Sequence, residues 1–251
     1  MTSKWTISAL AALGGAVLAT AIVFGAAALG LFPRQALDGR QVHDYLLHHP
    51  QILAEMSGRL QEQEAAAEDQ AERDRQTAVS KASLKAFFDP AVAYVTGPAN
   101  ARASVVEFFD YNCVHCRNTF PAVQAFYESH KNDTRFAFID FPIFGKMSDA
   151  AARAAVAARR QGDKYIAFSF AMMSEKGAID TDTMYADAKA AGLDIPKLIA
   201  DMNDPAIDKV IAASHALARR LNFDGTPTFV VNGKVHSGEI EAATLEQMTR
   251  G

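Results

Sequence analysis

The sequence predicts an α/β body in which a strand–helix–strand crossover is interrupted by an all-helical insertion, preceded by a helical arm and an apolar amino-terminal segment. Three observations carry this. Ser104 to Phe109 (SVVEFF) and Thr134 to Phe141 (TRFAFIDF) are apolar, β-branched and aromatic runs of the kind found in buried parallel strands, with a helical stretch between them. The alanine-rich chain from Ser148 to Leu221 has too many helical segments for one crossover connection. The chain then returns to strand at Thr226 to Val231.

The elements follow in order. No charged residue occurs between Lys4 and Arg34, and the run Ile7 to Phe32 is long enough to cross a bilayer as one helix. It reads as a signal anchor or a signal peptide within residues 1–33. The anchor is favoured because the stretch exceeds the usual signal-peptide core. Lys4 on the cytoplasmic side would then place the body across the membrane. Apolar residues at helical spacing from Leu37 to Leu60 predict a short amphipathic hairpin or a kinked helix, with Pro50 opening its second part. Gln61 to Arg75 (QEQEAAAEDQAERDR) has strong helix formers and no apolar stripe, which predicts a solvated stalk that is not buried. Residues 34–85 thus form an arm and stalk, and its apolar patch either joins copies of the chain or folds back on the body.

The body is expected over residues 86–251. Asp110 to Asn112 make a turn, and Cys113 to His130 a helix with Pro121 inside it. The insertion, about residues 148–222, should break at Gln161-Gly162, Glu175 to Ile179, Gly192 to Pro196 and Asn203 to Pro205, giving four or five helices. Asn232-Gly233 is a hairpin turn leading to a strand near Lys234 to His236, and Glu241 to Met248 closes the chain as a helix.

Composition narrows the function. The 251 residues carry a net charge of -4, which lacks the electrostatic footprint of a nucleic-acid binder. Seven acidic against three basic residues between Glu55 and Arg75 account for that whole charge, so the remainder is balanced. Cys113 and Cys116 are the only cysteines, too few for a disulfide scaffold or a closed zinc site.

A C-x-x-C pair at a helix start places the first sulfur where unpaired backbone N–H groups and the helix dipole stabilise an anion. Cys113 is therefore the expected attacking thiolate and Cys116, one turn in, the resolving thiol. His115 can add a positive charge or a hydrogen bond to the thiolate and lower its pKa further. A stabilised thiolate favours the reduced form and makes the disulfide a better oxidant. A structural bridge across so short a loop would constrain the unfolded chain little. Metal binding would need ligands from His43, His48, His49, His130, His215 or His236, none at a convincing spacing from the pair. No cofactor is expected.

FFDYNCVHC on a strand-to-helix turn, the helical insertion with FPIFGKMSDAAARAAVAA at its opening, and GTPTFVVNG near the carboxyl terminus together resemble the DsbA-like branch of the thioredoxin superfamily, over roughly Ala91 to Gly251. LDGRQVHDYLLHHPQILAEM resembles the helical arm of relatives, including the ScsC type, that oligomerise through their amino termini. The resemblance implies a thioredoxin fold and several roles. Thr226-Pro227 matches the family's cis-proline pair, whose loop lies against the sulfurs and whose backbone receives an extended substrate segment. A trans proline opening an edge strand is the other reading of those residues. Glu107 matches the buried acid that would relay protons to and from Cys116, and an edge-facing solvated glutamate is its alternative.

The expected activity is thiol:disulfide exchange that forms or isomerises disulfides in exported proteins. Val114-His115 resembles the strongly oxidising members, whereas threonine before the proline and the arm resemble the oligomeric isomerases. Expected partners are exported cysteine-containing proteins, a redox partner that resets the pair, further copies of the chain through residues 37–60, and the membrane through residues 7–32, with no nucleic acid. The expected location is the periplasm or cell envelope, anchored to the inner membrane or released after cleavage. A copper(I)-sequestering module using both thiolates is the competing class.

Overall fold

The computed structural model describes residues 38–250 and divides into two units, with the boundary between Gln63 and Glu64. The apolar run 7–32 lies outside the described residues, so the expectation of a membrane segment there is not addressed by them. Among the described residues no helix is long and apolar enough to cross a membrane.

The first unit contains α1 (Gly39–His48) and the start of α2 (Gln51–Lys81). Asp38 caps α1, its carboxylate accepting from Arg40 N at 3.3 Å. The helix ends where the His48 and His49 rings turn back onto the carbonyls of Asp44 and Tyr45, at 2.7 and 2.9 Å. Pro50 precedes the first residue of α2, as a ring without an N–H suits a helix entry. Val42, Tyr45, Leu47, Leu53, Met56 and Leu60 are all exposed.

The second unit is built on a five-stranded sheet in the order β1-β3-β2-β4-β5. The strands are β1 (Tyr94–Thr96), β2 (Ala103–Phe109), β3 (Thr134–Asp140), β4 (Thr228–Val231) and β5 (Lys234–Ser237). β2 and β3 pair in parallel, Ala103 opposite Thr134 through Phe109 opposite Asp140, joined by α3 (Val114–His130). The other pairings are antiparallel. Alternation sorts each central strand between two buried faces. Val105 and Phe109 of β2, Phe136 and Phe138 of β3, and Phe229 and Val231 of β4 join the cluster beneath α3 that also holds both cysteines. Val106 and Phe108, Ala137 and Ile139, and Val230 join the opposite one, with Phe87, Leu217 and Phe223.

The helical insertion consists of α4 (Lys146–Ala158), α5 (Lys164–Ser174), α6 (Thr181–Ala190), α7 (Ile195–Met202) and α8 (Pro205–Arg220), separated at the expected breaks. The aspartates that end those breaks act as caps: Asp180 in a capping box with Thr183, Asp194 on Lys197 N, and Asp204 on Ala206 N. The chain closes with α9 (Ala242–Arg250).

One boundary needs correction. The second unit begins at Glu64 rather than near residue 86, and α2, with no buried residue over the expected stalk Gln61 to Arg75, runs on to Lys81 and packs there on the sheet. Val79, only 4% exposed, sits in the second core cluster. Arg75 pairs with Asp224 at 2.7 Å, and the Gln76 side chain both donates to Gly233 O and accepts from Val235 N, at 2.9 and 2.8 Å. The last turns of α2 therefore cover backbone groups at the β5 edge, where a sheet otherwise leaves unpaired donors and acceptors. β1 is the element the sequence reading lacks. Three residues are too short for a period to declare itself, and β1 is held by pairing with β3 and by Gly97, whose φ of +81° and lack of Cβ let Thr134 O approach.

Candidate functional site

Cys113 is the N-cap of α3, in extended conformation where β2 hands over to the helix, and Cys116 lies inside the first turn. Both are free thiols, 1% and 0% exposed. The Cys113 sulfur lies 3.1 Å from Thr226 O, to which its protonated form donates. Its pKa is lowered to about 5, first by the hydrogen bond from Cys116 and then by Thr226 and the backbone N–H groups of Cys116 and His115, against the opposing cost of burial. Burial has the reverse outcome at Cys116. Desolvation, then the hydrogen bond given to Cys113, pushes that thiol far above its usual range. At neutral pH the pair is one thiolate and one thiol.

Glu107 lies on β2 between Phe138 of β3 and Phe229 of β4, so the edge-facing alternative does not apply. It is 4% exposed, and burial raises its carboxyl pKa to about 8. Its parity with Val105 and Phe109 turns it to the face that holds the cysteines, and its charge opposes ionisation of Cys116. Thr226-Pro227 is a cis peptide, as the resemblance implies, and its loop reaches the Cys113 sulfur. Among the described residues, no group of three or more His, Cys, Asp or Glu side chains converges as a metal site.

His115 differs from expectation in one respect. Its ring does not bond the sulfur through Nδ1; that nitrogen donates to Glu239 Oε1 at 2.7 Å, and the ring is exposed. The hydrogen bond His115 gives the thiolate comes from its backbone N–H. Its pKa is raised, first by the bond to Glu239 and further by the charge of Cys113.

Sequence reasoning missed the residues that brace this turn. Asp110 accepts from Asn112 N with one oxygen at 2.7 Å, and from Ile143 N and Phe144 N with the other, at 2.7 and 3.1 Å. Arg117 donates twice to Tyr111 O, at 2.8 and 2.7 Å, and once to Asn112 Oδ1 at 3.1 Å, while its second terminal nitrogen bonds Gly177 O. Asn112 Oδ1 also accepts from Ile179 N at 2.7 Å. The insertion is thus tied to the cysteine turn through backbone carbonyls and amides, for which a linear sequence carries no periodic signal.

Comparison with known proteins follows the same lines. Residues 91–249 match a family described as thioredoxin. The chain belongs to the thioredoxin family. Within it, this thioredoxin-family chain is DsbA-like with an amino-terminal helical arm, since residues 39–67 match the copper resistance protein ScsC N-terminal domain. A thioredoxin-like oxidoreductase from Silicibacter pomeroyi is 40% identical with a TM-score of 0.62, covering 67% of this chain and 96% of its own. The thiol-disulfide exchange protein α-DsbA2 from Wolbachia pipientis is 26% identical with a TM-score of 0.65, covering 71% and 96%. The Na(+)/H(+) antiporter NhaA of Herminiimonas arsenicoxydans is 28% identical over 167 residues, which are 65% of this chain and 27% of the antiporter. The chain thus spans about a quarter of the length of the curated relatives it matches.

Proposed function

We propose that this chain is a thiol:disulfide oxidoreductase of the periplasm or cell envelope, acting on cysteines of exported proteins through a mixed disulfide at Cys113. The observation that carries this reading is the placing of the pair: Cys113 caps α3 against the cis Thr226-Pro227 loop while Cys116 is buried one turn in, an arrangement that lowers the Cys113 pKa to about 5 and keeps Cys116 a thiol. A low-pKa thiolate is both the better leaving group and the group that favours the reduced state.

In the oxidised protein, a substrate thiolate attacks Cys113 Sγ, the Cys113–Cys116 bond breaks, and Cys116 leaves with the electron pair and takes a proton. Glu107, protonated at neutral pH and on the same face, is the nearby acid for that transfer. A second substrate thiolate then attacks the substrate sulfur of the mixed disulfide and expels Cys113 as a thiolate. The substrate gains a disulfide and loses two electrons, which a separate redox partner must remove from the reduced pair. In isomerisation the Cys113 thiolate attacks a wrong substrate disulfide and no net electrons move. The backbone beside Pro227 would receive the substrate segment.

The exposed apolar residues of α1 and of α2 up to Leu60 support self-association of the arm. Residues 7–32 would tether the protein to the inner membrane or be removed as a signal.

Reactivation of a scrambled-disulfide protein in a glutathione buffer tests the reading, comparing residues 36–251 with a form starting at the structural boundary, residue 64. Reshuffling by the long form alone supports an oligomeric isomerase. Oxidation of a reduced peptide by both forms without reshuffling supports an oxidase with the arm as a spacer. Turnover retained in Cys113→Ser overturns the mechanism. The match of residues 39–67 to a domain named for copper resistance makes copper(I) titration a necessary companion. A bis-thiolate site must deprotonate the buried Cys116, and tight stoichiometric binding lost in the double serine variant would favour that competing reading.

A further inference from the structure

Glu239 lies 124 positions from His115, yet its carboxylate bridges the start of α3. It accepts from His115 Nδ1 at 2.7 Å and from Asn118 Nδ2 at 2.9 Å. The loop that presents it is braced on three sides. Gly238 N donates to Pro227 O at 2.9 Å, which joins the loop to the cis-proline. His236 Nε2 bonds Glu239 O at 2.9 Å. The Thr119 hydroxyl donates to Ile240 O and accepts from Ile240 N, at 2.6 and 2.9 Å, with both residues buried. An exposed acid on a loop fixed this firmly has its partner chosen for it, and that partner is one of the two residues between the cysteines.

We propose that Glu239 is a positioning residue for disulfide exchange: it holds the His115 imidazole in one orientation and in its charged form, so that the Cys113 thiolate is stabilised through His115. The inference rests on the redox reading above. The charged groups acting on His115 are Glu239 and Cys113, with Asn118 a neutral neighbour of Glu239 and His236 reaching only the Glu239 carbonyl. Charge at His115 matters most in the reduced protein. Two glutathione thiols reduce the Cys113–Cys116 disulfide to give glutathione disulfide, the Cys113 thiolate, the Cys116 thiol and one proton released to water. A neighbouring imidazolium stabilises that thiolate and shifts the equilibrium toward reduction, so Glu239 raises the oxidising power of the pair by keeping its histidine protonated.

The test uses the full chain as Glu239→Gln, which keeps an acceptor but removes the charge, and Glu239→Ala, which removes both. Each is made with and without His115→Gln. The His115 ring is titrated by NMR, and the glutathione equilibrium is measured at about pH 7 and about pH 5, on either side of the ordinary histidine range. In Glu239→Gln the ring is expected to titrate at lower pH. The equilibrium at about pH 7 is expected to move about two- to fivefold toward the disulfide, the scale of an exposed ion pair, and to return to the wild-type value at about pH 5 where His115 is charged in both proteins. Glu239→Ala does the same at least as strongly. In the His115→Gln background neither change at Glu239 moves the equilibrium. An unchanged His115 titration overturns the proposal, as does a Glu239→Gln effect that survives without His115. The ring titration needs no turnover, so a failure of the redox reading shows separately, as a pair that does not exchange with glutathione at all.

Discussion

Cys113 and Cys116 sit within one turn of the same helix, and the protein drives their acidities in opposite directions. Cys113 is at the open end of α3, where backbone N–H groups, Cys116 and Thr226 converge on its sulfur. Cys116 is one turn inside, on the face shared with Glu107, where desolvation and the hydrogen bond it gives Cys113 both hold its proton, against a single backbone bond at Asp110. Both are almost inaccessible in the resting protein, so burial alone does not decide acidity. What decides it is whether donors are aimed at the sulfur. The pair therefore has a built-in direction: the outer sulfur leaves and attacks as an anion, and the inner one waits with its proton.

The severest way to break the comparison is to remove one sulfur. Cys113→Ser should abolish exchange with both reduced and oxidised substrates, read as loss of turnover, because serine neither ionises nor forms a disulfide at this site. Cys116→Ser should leave the first attack possible and block resolution, so mixed disulfides accumulate and are seen on non-reducing gels. It also deletes the group that gives Cys113 its strongest hydrogen bond. A serine hydroxyl restores only part of it, so the Cys113 thiolate absorbance, which in the wild type appears as pH rises through about 5, should appear at higher pH. An unmoved midpoint would mean that the helix end alone creates the thiolate.

Glu107 sharpens the comparison from below. Its carboxyl pKa is raised from 4.5 in the unfolded chain to about 8 in the folded one, so its contribution to stability is full below 4.5 and declines as pH rises toward 8. In the oxidised protein, where neither cysteine titrates, unfolding measured against pH should show this decline, up to about 3 kcal/mol at pH 7. Glu107→Gln should flatten the profile and slow Cys116 proton transfer by about 10²-fold, the low end for general acid–base catalysis. A wild-type profile already flat over that range would show that Glu107 is not desolvated as its place on β2 requires.

The contrast between what was legible and what was not follows the reach of each interaction. The crossover strands, the breaks of the insertion and the Cys113-Cys116 pair are written in local patterns, apolar runs, Gly and Pro punctuation and a spacing of two residues, and all are found where those patterns place them. The cis peptide at Thr226-Pro227 became legible only through resemblance. What escaped is long-range. β1 exists because β3 pairs with it. The last turns of α2 are covered in part, with Val79 buried, because Asp224, Gly233 and Val235 come back to meet Arg75 and Gln76. The bracing of the cysteine turn runs from Arg117 to Gly177, and the His115 partner waits at Glu239. Polar side chains of this kind look solvent-facing in a linear reading, since nothing nearby in the chain signals their partner.

The smallest expected effect isolates Thr226. Thr226→Val keeps the shape and the backbone carbonyl that accepts from the Cys113 thiol, and removes only the hydroxyl. The buried Thr226 hydroxyl has no hydrogen-bond partner among the described residues, so its loss, with Cys116 and two backbone N–H groups kept, should raise the Cys113 pKa less than Cys116→Ser does. The thiolate absorbance of the two variants, measured side by side, checks the ranking. A Thr226→Val midpoint equal to or above that of Cys116→Ser would transfer the main stabilisation from the helix to the proline loop. The direction built into the pair would then come from the loop that receives the substrate, and substrate binding itself would set how acidic Cys113 is.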